Sequence, residues 1–289
     1  MGSGRTERKK AIEIRHLTKY YGKHRGIVDV SFSVDQGDIF GFLGPNGAGK
    51  STAIRSMLGI IHCQSGEIYL LGRNVKDSRN EVLQKVGYMP SEAMFYPSMK
   101  VKEVIRFAAK ARKQDCAEEA GRICELLHVD TEKKMEELSL GNRKKVSIVC
   151  AMQHRPELLI LDEPTSGLDP LMQEAFFKLL LEYNQQGTTC FLSSHILSEI
   201  KQYCRNAVII REGVLIRTDS VENLTKTGVR RVKIETPEGK QEFVYTGSVR
   251  ELIHRLDGME LEDVLIEEPS IEEVFMHYYD EKKQADDFK

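Results

Sequence analysis

The 289-residue sequence lacks several features that mark well-known classes of protein. Its six cysteines include no C-x-x-C pair, so neither a zinc site nor a disulfide framework is indicated. No stretch approaches the roughly 18 apolar residues of a membrane-spanning helix, and no signal-peptide core is present. The 42 basic residues are balanced by 44 acidic ones, so no basic excess indicates nucleic-acid binding. We therefore expect a globular protein with reduced thiols, which could serve a membrane only through another chain.

Charge is distributed unevenly along the chain. From residue 220 onward there are 10 basic and 17 acidic residues, against 32 basic and 27 acidic before it. This difference predicts a mildly basic main domain over 11–219 and an acidic appendage over 220–289. The opening 1–10, MGSGRTERKK, formally matches a myristoylation pattern, but Gly-Ser openings are also typical of expression-tag remnants. We therefore assign residues 1–10 to a disordered basic tail or an expression-tag remnant and not to a lipid-modified segment.

Apolar patterning predicts an α/β fold with a parallel sheet. AIEIRHL and GIVDVSFSV alternate apolar and polar residues and predict an N-terminal antiparallel β-subdomain, whereas DIFGFLG, ELLILD and TTCFLSS read as buried strands. Residues 92–142 predict an inserted α-helical subdomain. After residue 220, strands and helices alternate in a small C-terminal α+β extension. Its last helix carries one apolar stripe, formed by Ile271, Val274, Phe275, Tyr278 and Tyr279.

A phosphate-binding loop is predicted at GPNGAGKST. The pattern G-x-x-x-x-G-K-[ST] stands between a strand and a helix, which is the context it requires. Its glycines let backbone N–H groups turn inward around phosphates, and the helix dipole adds to the attraction. Lys50 is predicted to reach the β- and γ-phosphates, Ser51 to bind Mg²⁺, and Thr52 to add a phosphate contact. The predicted loop, and with it a P-loop NTPase core, comprises Gly44, Pro45, Asn46, Gly47, Ala48, Gly49, Lys50, Ser51 and Thr52.

Two adjacent carboxylates follow the buried strand ELLILD. Asp162 is predicted to bind the hydrated Mg²⁺, and Glu163 to orient and polarise an attacking water. Kinases, GTPases and helicases share this pair of elements, so further motifs must decide between them.

The segment LSLGNRKKVSI, residues 138–148, begins a predicted helix with cations in its first turn. Arg143, Lys144 and Lys145 stand at the positive end of the helix dipole, which disfavours an exposed cation by roughly 0.3–1 kcal/mol. We therefore expect an anion to dock there.

These ordered motifs resemble those of the nucleotide-binding subunits of ABC transporters, over nearly all of residues 11–217. LSLGN at 138–142 is similar to the LSGGQ signature, SGLD at 166–169 to the D-loop, and His195 to the switch histidine. The resemblance implies that Ser139, Gly141 and Asp169 act on ATP held by a second chain. It also implies that His195 contacts the γ-phosphate.

The resemblance also has implications for the position that contacts adenine and for the one that contacts the metal. Tyr21 matches the position on which adenine stacks, whereas a tyrosine considered without the resemblance is more often ordinary packing. Where the family has a metal-contacting glutamine, this chain has Ser91 and Glu92, and either could bind the metal through oxygen. The charge of Glu92 would weaken ATP binding or require an intact Mg²⁺ shell. Leu140 and Asn142 also depart from the signature.

The resemblance implies a mechanism and partners. Two such domains pair head to tail around ATP, hydrolysis loosens the pair, and the cycle drives a transmembrane permease at the cytoplasmic face of the cell membrane. A contact with the permease is expected at Met94, Phe95, Tyr96 and Met99, unless these pack in the core. The C-terminal extension resembles that of ATPases serving separately encoded exporters.

Three alternatives compete with this interpretation, and the sequence disfavours each of them. A soluble ABC ATPase of DNA repair would carry long heptad arms, for which the helical insertion is too short. A translation-associated factor would carry two nucleotide domains in one chain. A non-enzymatic module would have lost Lys50, Asp162, Glu163 or His195, all of which are present.

Overall fold

The computed structural model describes residues 9–92, 94–225 and 229–267. The first eight residues of the predicted tail and the predicted last helix with its apolar stripe lie outside the described residues. In the described part of the chain, no helix combines the length and apolar character that a bilayer crossing requires.

The described strands and helices follow the alternation that the sequence predicts. The strands are β1 (Lys10–Tyr21), β2 (His24–Asp35), β3 (Ile39–Leu43), β4 (Ser65–Leu70), β5 (Arg73–Asn74), β6 (Val86–Met89), β7 (Leu158–Asp162), β8 (Thr189–Ser194), β9 (Asn206–Arg211), β10 (Val214–Ser220), β11 (Val229–Thr236), β12 (Gly239–Thr246) and β13 (Asp263–Glu267). The helices are α1 (Lys50–Met57), α2 (Val75–Gln84), α3 (Val101–Ala111), α4 (Ala117–Leu126), α5 (Leu140–Met152), α6 (Pro170–Gln185), α7 (Leu197–Tyr203), α8 (Val221–Thr225) and α9 (Val249–Leu256).

A six-stranded sheet in the order β10-β9-β3-β8-β7-β6 forms the centre of the molecule. The strands from β9 to β6 pair in parallel, and β10 closes the edge as an antiparallel hairpin with β9. Every residue of β3, β7 and β8 is buried, as expected for a parallel sheet covered on both faces. The predicted α/β fold with a parallel sheet is confirmed.

Two layers cover this sheet. On one face lies the antiparallel sheet β2-β1-β4-β5 with α1 and α2, where Phe32 stacks on Phe40, Phe42 and Phe191 with ring centroids 5.7–6.0 Å apart. On the other face the helices α3 to α7 contribute to a second core with Leu161, Leu192 and other strand residues. Each sheet face thus has its own packed layer.

The inserted segment is less helical than the sequence predicts. The prediction of helix is wrong for 94–100, which run as turns and extended chain before α3 begins at Val101. Pro97 lacks an N–H group and restricts the residue before it, so it disfavours a helix there. The segment instead pairs with residues near 134: Met135 N–H donates to the Met99 carbonyl at 2.9 Å.

The C-terminal segment forms a small sheet, β12-β11-β13, with its own apolar cluster of Val232, Ile234, Leu252 and Leu256. The short helix α8 precedes it, and Val221 and Leu224 of α8 pack in the core of the main sheet. The boundary at 220 stays a prediction, but the apolar core of the main sheet extends at least to Leu224.

Candidate functional site

The carboxyl ends of three parallel strands bring the predicted residues to one edge of the central sheet. Leu43 at the end of β3 pairs with Ser194, and Asp162 at the end of β7 pairs with Ser193. The loop 44–49, the pair Asp162–Glu163 and His195 therefore leave the sheet side by side. Binding sites in open α/β sheets lie at this edge.

The glycines of the loop are required by its conformation. Gly49 has φ 103°, a left-handed conformation, and a Cβ there would lie 2.9 Å from the carbonyl oxygen of Gly26. A Cβ at Gly44 would lie 2.5 Å from the carbonyl oxygen of Ile210. Helix α1 begins at Lys50, so its unpaired N–H groups face the space that the loop encloses.

A cleft of about 400 Å³ opens in front of this loop. It is lined by Tyr21, Arg25, Gly26, Asn46, Gly47, Gly49, Lys50, Ser51, Thr52, Ser91, Glu92, Glu163 and Ser166. Arg25, Gly26 and Ser166 were missed at the sequence level, and no motif pointed to the first two. The remaining loop residues, Gly44, Pro45 and Ala48, support the loop without lining the cleft.

Lys50 joins the loop to the predicted catalytic carboxylate. Its ammonium group is only 5 % exposed and donates to the carbonyl oxygens of Gly44 and Pro45 at 2.6 and 3.1 Å. The same nitrogen lies 3.0 Å from Glu163 Oε1. Glu163 Oε2 in turn lies 3.1 Å from Nδ1 of His195. The three residues are thus joined by one chain of polar contacts at the edge of the cleft, which Lys50 and Glu163 line and His195 does not.

Backbone geometry fixes the position of Glu163. Its φ of 48° is unusual for a residue with a side chain and marks a sharp turn directly after β7. The Glu163 N–H group donates to the carbonyl oxygen and to Oγ of Ser193, at 3.2 and 3.1 Å. This turn directs the carboxylate toward Lys50.

Asp162 has one satisfied and one unsatisfied oxygen. The residue is 1 % exposed, and its Oδ1 accepts a 2.6 Å hydrogen bond from the hydroxyl of Ser193. Its Oδ2 is buried and has no hydrogen-bond partner among the described residues. Buried polar oxygens are normally paired, so this atom is suited to a ligand.

Sequence reasoning missed Ser193 and Glu199, which position the site. Each oxygen of the buried Glu199 carboxylate accepts one hydroxyl, from Thr165 and Ser194, at 2.7 Å. Glu199 therefore ties the loop after β7 to the end of β8. The polar pair Ser193-Ser194 at the end of an apolar strand was the available signal for half of this network.

Tyr21 lies at the rim of the cleft and is 46 % exposed. The Lys19 ammonium group lies 5.3 Å from the centre of its ring. A half-exposed ring facing the cleft is available for stacking, which makes core packing the weaker interpretation.

The predicted signature residues lie apart from the cleft. The Ser139 hydroxyl and the Asp169 carboxylate accept from the N–H groups of Asn142 and Met172, and so cap α5 and α6. A Cβ at Gly141 would lie 2.6 Å from the carbonyl oxygen of Gly167, so the signature and D-loop segments touch within one chain. None of the three predicted residues lines the cleft.

Two of the cations at the start of α5 have partners within the chain, so their charges do not by themselves require an anion, and anion docking at this helix end stays a prediction. The Arg143 guanidinium donates to the carbonyl oxygens of Met135 and Glu136, at 3.1 and 3.5 Å. The buried Lys144 ammonium donates to the carbonyl oxygen of Ser91 at 2.9 Å. Carbonyl oxygens within the chain, which a helix-dipole argument does not include, satisfy these charges.

Comparisons with known proteins agree with this geometry. A family profile described as "ABC transporter" matches residues 27–166. The bacitracin transport ATP-binding protein of Bacillus licheniformis is 36 % identical over 237 residues, which cover 81 % of this chain and 77 % of that protein. The linearmycin resistance ATP-binding protein of Bacillus subtilis (strain 168) is 29 % identical over 305 residues, covering 92 % of this chain and 97 % of that protein.

A solved structure described as the ATP-binding subunit of an ABC transporter is also similar. It is 31 % identical, covers 75 % of this chain and 92 % of its own, and superposes with a TM-score of 0.69. The phosphate loop, the two carboxylates and these relatives lead to one conclusion: the chain belongs to the ABC transporter family, as an ATP-binding subunit with ATPase activity.

Proposed function

We propose that this chain binds ATP with Mg²⁺ in the cleft and powers export through a separate transmembrane permease. The observation that carries the proposal is that Lys50, Glu163 and His195 meet at one edge of the sheet. Glu163 contacts both of the others, with Oε1 3.0 Å from Lys50 Nζ and Oε2 3.1 Å from His195 Nδ1. A phosphate group held there would face an ammonium, a carboxylate and an imidazole. Phosphoryl transfer depends mainly on such positioning and charge stabilisation.

The donors at this edge fit Mg²⁺. The unpaired Oδ2 of Asp162 offers a carboxylate oxygen, and Ser51, which lines the cleft beside Lys50, would offer its hydroxyl. Glu92 lines the same cleft and stays a candidate ligand. Bound Mg²⁺ would neutralise phosphate charge.

Glu163 would act on the attacking water. Lys50 holds the carboxylate at 3.0 Å, and a γ-phosphate would compete with Glu163 for the same ammonium group. Binding would therefore release the carboxylate toward the water, where it can serve as a general base. His195, which contacts the other oxygen of Glu163, would then contact the γ-phosphate.

A second nucleotide-binding domain, from a copy of this chain or a related one, would complete the site. Ser139, Gly141 and Asp169 do not line the cleft, and Leu140 beside them is 68 % exposed. Pairing two such domains head to tail would bring these residues to the ATP of the other chain. ATP would then hold the pair together until hydrolysis.

Exposed apolar side chains support a permease contact. Met94 is 96 % and Tyr96 is 74 % exposed, whereas Phe95 and Met99 pack against the core. The names of the relatives, bacitracin transport and linearmycin resistance, favour export of antibiotic-like compounds over a soluble role. The chain would then work at the cytoplasmic face of the membrane.

The decisive variant is Glu163→Gln. We expect it to keep ATP binding, abolish phosphate release and trap dimers when ATP is added, because the base is lost while the binding groups remain. The readouts are nucleotide binding, phosphate release and size-exclusion chromatography. Glu157→Gln, at the other end of β7, is the matched control and should behave as the parent. An unimpaired hydrolysis rate in Glu163→Gln would contradict the proposal.

Copurification separates the transport role from the alternative. We expect a multi-span membrane protein to accompany the chain extracted in mild detergent. Ribosomes or DNA in its place would favour the soluble, non-transport ABC ATPase.

A further inference from the structure

Lys144 lies near the start of α5, and its side chain reaches the loop after β6 without itself lining the cleft. The residue is 5 % exposed, and its ammonium group donates to the carbonyl oxygen of Ser91 at 2.9 Å. Ser91 and Glu92 line the cleft directly after β6. One side chain therefore connects α5, which begins within the signature segment, to the loop that lines the cleft.

A buried lysine requires compensation for its lost hydration. Burial lowers the pKa of the Lys144 ammonium and outweighs the negative charges of Asp162, Glu163 and Glu92, which raise it. These are three of the four carboxylates of the predicted site; Asp169 is the fourth. Lys144 thus belongs to the same group of interacting charges as the cleft.

The neighbouring cation does not share this environment. Arg143 donates to the carbonyl oxygens of Met135 and Glu136, which precede the helix and do not line the cleft. Lys144, one residue further along the helix, instead contacts the carbonyl oxygen of Ser91. Its role is therefore specific to that side chain.

The loop that Lys144 contacts carries an acidic residue, Glu92, whose charge the Lys144 ammonium can offset. Glu92 faces a cleft that must accept the negative phosphates of ATP, where an uncompensated carboxylate would oppose binding. A fixed cation bound to the backbone one residue earlier can hold the loop in place and offset part of the negative charge near the phosphates.

We propose that Lys144 is a positioning residue for ATP, which anchors the loop at Ser91 and offsets the charge of Glu92. The inference rests on the proposed binding of ATP with Mg²⁺ in this cleft. It assigns to Lys144 a contribution that acts through the loop and not through direct contact with the nucleotide.

The test is a double-mutant cycle between Lys144→Met and Glu92→Gln. The measured quantity is the affinity for a fluorescent N-methylanthraniloyl ATP, without Mg²⁺ in EDTA and again with Mg²⁺. In EDTA we expect Lys144→Met to weaken binding about tenfold, as is reasonable for loss of a partly buried charge interaction. In the Glu92→Gln background the same substitution should cost about twofold at most, because the charge to be offset is gone.

Two further variants complete the design. Lys144→Gln keeps a hydrogen-bond donor but removes the charge, and it serves if Lys144→Met fails to fold. It should also weaken ATP binding in EDTA. Lys110→Met makes the same charge change on the exposed side of α3 and should match the parent. Parental affinity in Lys144→Gln would overturn the inference.

An equal loss in both backgrounds would also overturn it, because Lys144 would then act independently of Glu92. The parent and Glu163→Gln, run in the same assays, report separately on the proposed function. A parent that binds and hydrolyses ATP, together with Lys144 variants that match it, would therefore reject this inference alone.

Discussion

At the scale of single residues, the site depends on Ser193, which positions the neighbouring residues Asp162 and Glu163. The Ser193 hydroxyl donates to Asp162 Oδ1 and accepts the Glu163 N–H group, so one side chain orients both. Ser193 is fully buried, and no water can easily replace it. A small residue outside the motifs thus determines where the motif residues point.

This arrangement predicts the effect of Ser193→Ala. We expect turnover to fall about tenfold or more, because a hydrogen bond to a charged group contributes about 1.5–3 kcal/mol. ATP binding in EDTA should change little, since Lys50 and the loop remain. The checks are phosphate release and nucleotide affinity. Ser147→Ala, a buried serine of α5, is the control; an equal loss of turnover there would point to general damage.

At the scale of elements, a buried carboxylate connects three helices. Glu119 of α4 accepts from Arg122, from the hydroxyl of Tyr183 in α6, and from Arg155 just after α5, at 2.6–2.7 Å. Burial opposes its ionisation, but the hydrogen bonds from Arg122, Tyr183 and Arg155 prevail and lower the pKa of Glu119 to about 2. The inserted helices are thereby fastened to the main core.

The lowered pKa of Glu119 gives stability a defined pH dependence. Between about pH 4.5 and 2 the unfolded chain binds a proton that the folded chain does not, so falling pH favours unfolding. We expect Glu119→Gln to lower the free energy of unfolding at pH 7 by about 2–3 kcal/mol, and the difference from the parent to narrow as pH falls through this window.

Urea unfolding at pH 7 and pH 3 measures this change. Glu118→Gln, an exposed neighbour on the same helix, should unfold like the parent at both values. A deficit of Glu119→Gln that is the same at pH 7 and pH 3 would show that the ionised carboxylate is not the cause.

At the scale of the whole molecule, the question is where the main domain ends. Val221 and Leu224 are 5 % and 2 % exposed and pack in the core of the central sheet, whereas the strands after them surround a separate cluster. The change in charge at residue 220 therefore falls before the end of the packed core.

Two truncated chains test this boundary. A chain ending at residue 225 should keep its fold and ATP binding. A chain ending at 219 should be less stable by about 3 kcal/mol or more, because burial of Val or Leu contributes about 1.5–3 kcal/mol each. Thermal unfolding and nucleotide affinity measure the difference. Equal melting temperatures would show that α8 contributes nothing to the main core.

The parts of this protein that depend on contiguous residues can be predicted without a structure. The loop at 44–52 requires glycines and Lys50 at fixed spacing, and buried strands require continuous apolar runs, so the phosphate loop and the parallel sheet were predictable. The likeness of SGLD and LSLGN to family motifs could also be read locally.

Which distant groups meet depends on how the helices and strands pack, and it could not be predicted from local patterns. The contact of Lys144 with Ser91, the two hydroxyls on Glu199 and the packing of α8 join residues whose partners no local pattern specifies. A charge at a helix end looks unpaired in sequence because its acceptor lies on another element. Packing brings that acceptor within reach. A cation for which the sequence alone predicts an external anion is therefore satisfied by oxygens of its own chain.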